Sequence, residues 1–263
     1  MSKLFRVLIV FLMALSLPMT SAFAHNNYGK DYDRHHGKDT LVALGDSAPF
    51  GYSPHRNNDR PAKYAFPYLI GAKADLKVQN LAVPGWKTDD LLDALDTDKR
   101  FRHAVKKADY VILNIGGIDF IELLKAAHAE SRGDNKLFHK LLAQKLANTD
   151  VFDNLNEIIK EIRSLTDAPI VLYNLYNPFQ VKDPFHQVVD RYLPQINEGY
   201  KKLADSNKKV KLANADKAFG DNQAKYVFPK DVHPTKAGHV RLAKIGLRAL
   251  KHEYSHHHHH HHH

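Results

Sequence analysis

Five short apolar runs punctuate the chain, with room for a helix between successive runs. Thr40–Leu44 (closed by Gly45), Tyr110–Ile115 and Pro169–Tyr173 are nearly continuous in Val, Ile and Leu, while Leu76–Gln79 and Val210–Ala213 repeat the texture more weakly. An unbroken apolar run, unlike an alternating one, suits a strand covered on both faces, as in a parallel sheet. Helical spacing fills the intervals. Thr88 to Leu95 opens on Thr88-Asp89-Asp90, predicting a capping hydroxyl and two carboxylates at a helix N-terminus. Lys136 to Leu165 carries a long helical pattern broken near Asn148 to Asp150, and Gln187 to Leu203 contains Pro194, which predicts a kink or a restart. Thr235 to Leu250 puts Val240, Ala243, Leu247 and Leu250 on one face and Lys236, Arg241, Lys244 and Arg248 largely elsewhere. No internal repeat is visible. Strands alternating with helices predict one α/β domain over 39–254, with a mainly parallel sheet of about five strands.

The two ends stand outside this pattern. Residues 1–24 begin with Lys3 and Arg6, continue through an apolar run from Val7 to Leu17 and close on Ala22-Phe23-Ala24. That is the layout of a secretory signal peptide cleaved after Ala24, so the protein is expected to be secreted. The polar stretch 25–38 reads as a flexible exported segment, and its His25, His35 and His36 as part of a solvated tail rather than a metal site. Residues 256–263 are a run of eight histidines, an expression tag; they account for eight of the 19 histidines, so the count argues for no metalloprotein.

Composition narrows the classes further. The segment from His25 to Ser255 is long enough for one sizeable core. It has no cysteine, which excludes a disulfide framework, a thiolate metal site and a lipid anchor on cysteine. No other apolar run is long enough to span a bilayer. The formal charge of +9 falls to +7 without Lys3 and Arg6. The lysines are scattered, so this reads as a well-solvated surface; peripheral attraction to anionic surfaces is the second reading, and no nucleic-acid partner is expected.

In an open parallel sheet, ligands bind beyond the carboxyl ends of the strands. The segments there are Gly45-Asp46-Ser47-Ala48, Asn80-Leu-Ala-Val-Pro-Gly85-Trp86, Gly116-Gly117-Ile118-Asp119 and, before the closing helix, Asp231-Val232-His233-Pro234-Thr235. A hydroxyl, an imidazole and glycine turns at one edge are the parts that nucleophilic acyl transfer needs. Either motif alone serves equally well as turn or capping chemistry; their order and positions make the case together.

Over Leu41 to Leu250 the chain resembles the SGNH, or GDSL, hydrolase family, in particular its small secreted bacterial esterases and lipases. The blocks Leu44-Gly-Asp-Ser-Ala-Pro-Phe-Gly-Tyr52 and Val232-His-Pro-Thr-Lys-Ala-Gly-His239 carry the likeness. It implies a three-layer α/β/α sandwich of flavodoxin-like type, Ser47 as nucleophile, His233 as base, and the N–H groups of Ser47 and Gly85 as oxyanion donors. It implies no metal or organic cofactor, and a small-molecule or lipid ester as substrate.

Two positions depart from the family's pattern. Ile118 stands where the family has an asparagine donor, which leaves two donors in the oxyanion hole. Lys230 occupies the usual place of the acid, three residues before the histidine, so Asp231 is taken as the orienting acid, with a turn expected to bring it onto His233. Asp46 and Asp119 read as loop braces. Phe50, Trp86, Phe120 and Phe179 are candidate substrate-binding aromatics, with an acyl groove and ordinary packing both open, and Tyr176 to Phe185 is the candidate covering loop. The leading expectation is a secreted serine esterase. The competing one is a catalytically weak binding protein of the cell envelope or of acylated carbohydrate on the same fold, which Ile118 and Lys230 favour. A flavodoxin-like nucleotide binder fits the sheet but lacks a glycine-rich phosphate loop.

Overall fold

A computed structural model describes residues 37–257, with side chains described to residue 251. The leader read over 1–24, residues 25–36 of the exported segment and the tag side chains lie outside the described residues. Five strands, β1 (Thr40–Gly45), β2 (Lys77–Asn80), β3 (Tyr110–Asn114), β4 (Ile170–Tyr173) and β5 (Val210–Ala213), form one wholly parallel sheet in the order β2-β1-β3-β4-β5. The helices of the described residues are α1 (Ser47–Phe50), α2 (Phe66–Ala74), α3 (Thr88–Thr97), α4 (Lys99–Lys106), α5 (Gly117–Ser131), α6 (Asn135–Ala147), α7 (Val151–Leu165), α8 (Pro184–Ser206), α9 (Ala215–Phe219), α10 (Gln223–Tyr226) and α11 (Lys236–His257).

Alternate residues of each buried strand feed opposite cores, as the period of two requires. Val42, Leu44, Val111, Leu113, Ile170 and Leu172 pack against α3, α4, α7 and α8. Leu41, Ala43, Ile112, Val171 and Tyr173 pack against α2, α9 and α11. A third apolar cluster joins Leu124 and Ala127 of α5 to Phe138 and Leu142 of α6, together with Phe179, Phe185 and Val232.

The local differences from the sequence reading have physical causes. Thr88 is the first residue of α3 rather than its cap. Its hydroxyl donates to Asp119 Oδ1 (2.8 Å) and its N–H to Asp119 Oδ2 (3.0 Å), so a carboxylate from 31 residues away caps this residue while Asp90 accepts the Lys87 N–H locally (2.8 Å). Helix α8 runs unbroken through Pro194, with no restart. Pro194 is exposed, so the carbonyl its ring leaves without a donor lies on the solvent side of the helix. On α11 the buried stripe is His239, Leu242, Ala243, Gly246, Ala249 and Leu250, while Val240, assigned to that face, is 61% exposed. The stripe is centred one residue earlier than the aliphatic pattern suggested, because a histidine and a glycine occupy two of its positions.

Gly246 is there for space. A Cβ on it would lie 2.2 Å from the Tyr173 hydroxyl oxygen and 2.7 Å from Ile70 Cδ1. That hydroxyl is fully buried and donates to the Leu242 carbonyl at 2.8 Å, so it has nowhere to go. Gly→Ala in an ordinary helix stabilises by roughly 1 kcal/mol; here Gly246→Ala should instead destabilise by about 1–3 kcal/mol through overpacking. Thermal unfolding checks the sign, and a raised Tm would contradict this packing.

Candidate active site

The strand order reverses direction between β1 and β3, and a crevice opens there at the carboxyl edge of such a sheet. Ser47 sits at that point, as the first residue of α1, with Asp46 as its N-cap. The Asp46 carboxylate accepts the Ala48 N–H (3.3 Å), leaving the Ser47 N–H with no acceptor among the described residues. The second loop is held alongside: the Val83 N–H donates to the Gly45 carbonyl at 2.9 Å, carrying the β1–β2 pairing past the strand ends. Gly85 in this loop has φ +86, the left-handed region that favours glycine, and its N–H also donates to no other described atom.

His233 arrives from the far end of the chain. A turn over Phe228–Asp231, closed by the Asp231 N–H on the Phe228 carbonyl (3.2 Å), has Pro229 at its second position and Lys230 at its third, with φ +57. Proline followed by a positive φ is the type II signature. The expected turn therefore lies before Asp231, not between it and His233. Positions i and i+2 already share a face of an extended segment, so the two-residue offset itself favours contact. Both Asp231 oxygens lie 3.0 Å from His233 Nδ1, and His233 Nε2 lies 3.1 Å from Ser47 Oγ. A carboxylate only accepts, so Nδ1 carries the proton and Nε2 presents a lone pair to the serine hydroxyl, the tautomer a general base needs. Asp231 and His233 are buried and Ser47 is half-exposed. Tyr52 backs the imidazole, with ring centroids 4.4 Å apart, and the Tyr176 hydroxyl donates to the Val232 carbonyl at 2.7 Å, fixing the loop between the two.

The cleft beside Ser47 and His233 has a cavity volume of about 130 Å³ and mainly apolar walls. Phe120 and Phe179 line it, as do Tyr176 and Pro178 from the predicted covering loop. Phe50 and Trp86 are not among its lining residues: Phe50, the last residue of α1, is buried, and the half-buried Trp86 stacks on Phe101 at 5.4 Å against the core. The sequence reading missed the opposite wall, Leu142 and Leu146 of α6 with Val189 and Leu193 of α8. The apolar spacing of Phe138, Leu142 and Leu146 was the available signal.

Ile118 lines the cleft and is 8% exposed, an apolar contact with no donor. Two amides share the walls. Asn174 donates to Asn214 and accepts from the Asp216 N–H, whereas the Asn114 side chain bonds to no other described residue. Burial raises the Asp119 carboxyl above the usual range, and its two bonds to Thr88 tie the third loop to the start of α3. Asp46 and Asp119 thus sit where bracing groups would.

The sequence profile of the GDSL-like lipase/acylhydrolase family matches residues 43–241. The uncharacterised protein YpmR of Bacillus subtilis (strain 168) is 28% identical over 179 residues, which is 67% of each chain. A lipase from a goat rumen metagenome superposes with a TM-score of 0.63 at 22% identity, over 81% of this chain and 97% of that one. Phospholipase A1 from Streptomyces albidoflavus NA297 does so with a TM-score of 0.64 at 18% identity, over 82% and 99%.

Burial pushes the Asp46 carboxyl from its ordinary 3.8 up to about 7. Between those values the folded chain holds a proton that the unfolded chain has lost, so this group's contribution to stability falls as pH rises across the window. Asp46→Asn keeps an oxygen for the Ala48 N–H and removes the titration. The Tm of the parent should therefore drop relative to Asp46→Asn between about pH 4 and pH 7. A difference that stays flat across that interval would contradict the burial argument.

Proposed function

The chain belongs to the GDSL-like lipase/acylhydrolase family, and on that premise we propose that it is a secreted serine esterase or lipase-like hydrolase that cleaves carboxylic esters through an acyl-serine intermediate. One observation carries this reading: Ser47 Oγ, His233 Nε2 and the Asp231 carboxylate form a continuous chain of 3.0–3.1 Å contacts opening into an apolar cleft. Secretion rests on the leader read in residues 1–24.

The order of events follows from the donors and acceptors. Nε2 of His233 takes the hydroxyl proton as Ser47 Oγ attacks the ester carbonyl, and Asp231 stabilises the imidazolium that forms. The uncommitted N–H groups of Ser47 and Gly85 receive the oxyanion. His233 then protonates the leaving alkoxide, and a water deprotonated by the same nitrogen releases the acid. The apolar walls favour an acyl group of modest length. An apolar cavity of roughly 150 Å³ holds a benzene molecule, and about 130 Å³ is present here.

Ile118 supports a second reading, a weak or silent member that binds acylated ligands. A missing oxyanion donor typically costs about 10²–10³ in turnover, and Asn114 offers, among the described residues, an uncommitted side-chain amide on the cleft wall as a substitute.

Two experiments separate these. Hydrolysis of short-chain aryl esters should vanish in Ser47→Ala and in His233→Ala; residual rates equal to the parent's would refute the serine mechanism. Ile118→Asn should raise turnover at least about tenfold by restoring a donor. An unchanged rate in a folded Ile118→Asn protein would show that this wall position does not limit the reaction.

A further inference from the structure

Away from the serine, at the start of α8, a buried imidazole faces two carboxylates. His186 Nδ1 lies 2.7 Å from the Phe179 carbonyl, and its Nε2 lies 3.2 Å from Asp190 Oδ2 and 3.2 Å from Asp221 Oδ1. A carbonyl oxygen only accepts, so the Nδ1 proton is committed to Phe179. In the neutral ring Nε2 then has a lone pair and no proton, aimed at two groups that also have only lone pairs. The three atoms need a cation among them, a second ring proton or a metal ion.

From this arrangement we propose that His186, Asp190 and Asp221 form a divalent-cation site of zinc type. The donors suit that ion: one imidazole nitrogen and two carboxylate oxygens, leaving the fourth tetrahedral position to water. The spacing suits it as well. Zinc bonds of about 2.0–2.1 Å give a tetrahedral edge of about 3.3 Å, close to both 3.2 Å separations. All three ligand atoms lie within 4.8 Å of one another. The supporting contacts are those that orient metal ligands elsewhere: the Phe179 carbonyl fixes the imidazole, and the Asn177 side-chain amide donates 2.8 Å to Asp190 Oδ1, the oxygen turned away from His186. The His186 side chain is only 4% exposed, so it is positioned without help from the ion, whereas Asp190 and Asp221 are 51% and 77% exposed and give it a route in.

An ion here would act on the cleft from behind. Phe179 lines the cleft, Asn177 donates to the His186 carbonyl, and Gln223 of α10 donates to the Asn177 carbonyl. The site would clamp the loop carrying Tyr176, Pro178 and Phe179 to α8 and to the turn at Asp221.

The test compares the parent with an Asp190→Asn/Asp221→Asn double variant. Both carry the same histidine run, so its metal binding cancels. Each protein is stripped with EDTA and titrated with ZnCl2 against a chromophoric chelator, and thermal unfolding is followed with and without zinc. The parent should take up one more zinc ion per chain than the variant and show a zinc-dependent rise in Tm that the variant lacks. Equal stoichiometry and equal shifts in the two proteins would overturn the site. Asp221→Ala, at the most exposed ligand, gives the same comparison should the double variant be unstable. Neither readout depends on ester hydrolysis, so the serine mechanism and this site stand or fall separately.

Discussion

The approach of β1 to β3 at Gly45 governs where the chemistry can be. A Cβ at this position would lie 1.9 Å from the Asn114 carbonyl oxygen, inside the backbone itself. With φ +151 and no side chain, Gly45 lets the last rung of the β1–β3 ladder close (Gly45 paired with Asn114) and then turns the chain out of the sheet. The next residue donates its N–H to the same carbonyl, at 3.3 Å, and caps α1 with its carboxylate. Ser47 follows with its hydroxyl at the mouth of the crevice. Any side chain at position 45 would separate the two strands at the point where Ser47, the proposed nucleophile, is presented.

The other half of the site is built by a different means. Ser47 and His233 are 186 residues apart, and the strand that ends nearest His233 in sequence, β5, lies at the far edge of the sheet. The loop therefore has to be held by contacts outside the sheet. Tyr176 reaches the Val232 carbonyl, Gln180 bonds the Val227 carbonyl, and an antiparallel bridge joins Val227 to Pro234. Farther on, the buried His239 accepts the Phe66 N–H at 3.1 Å and ties α11 to α2. Burial pushes this imidazole down to about 3. It stays neutral in the folded chain, and its contribution to stability is lost as pH falls below the unfolded value of 6.5. Asp46 loses stability in the opposite direction, so the two buried groups oppose one another over the interval they share.

The strands and the strand-end loops were legible because both follow local rules. An apolar run followed by glycine marks a buried strand and its exit, and a serine just beyond it lies at the carboxyl edge by topology alone, whereas His233, two short helices past the end of β5, does not follow from that rule. Helices α2, α4 and α5 were not read. The first opens on Phe66-Pro67, the second is two turns long with its Phe101, Ala104 and Val105 stripe set among basic residues, and the third begins inside the glycine-rich loop after β3. The substrate side was legible only in part, because aromatics near strand ends do not say which way they point. Phe120 and Phe179 face the cleft and Trp86 faces Phe101, a choice made by helix packing rather than by sequence position. The His186 cluster was invisible for the same reason: its three members are brought together by α8 and the turn after α9.

Ile118 shows how one position can serve binding and catalysis unequally. An asparagine there would touch the substrate most strongly once charge develops on the carbonyl oxygen, and only such differential contacts lower the barrier. On the proposed acyl-serine mechanism the isoleucine would contribute apolar contact to the acyl group before and after the attack alike, which is uniform binding. A site so built would hold its ligand at least as well as one with the asparagine and turn it over more slowly. The remaining donors cannot redistribute that loss, because the Ser47 and Gly85 N–H groups are fixed by a capped helix and a left-handed turn. What can still respond is Asn114, whose amide is buried in the wall and uncommitted, at the end of the strand that Gly45 must approach. The constraint that presents Ser47 thus also places beside it a side-chain amide that is uncommitted among the described residues and that the proposed mechanism could use.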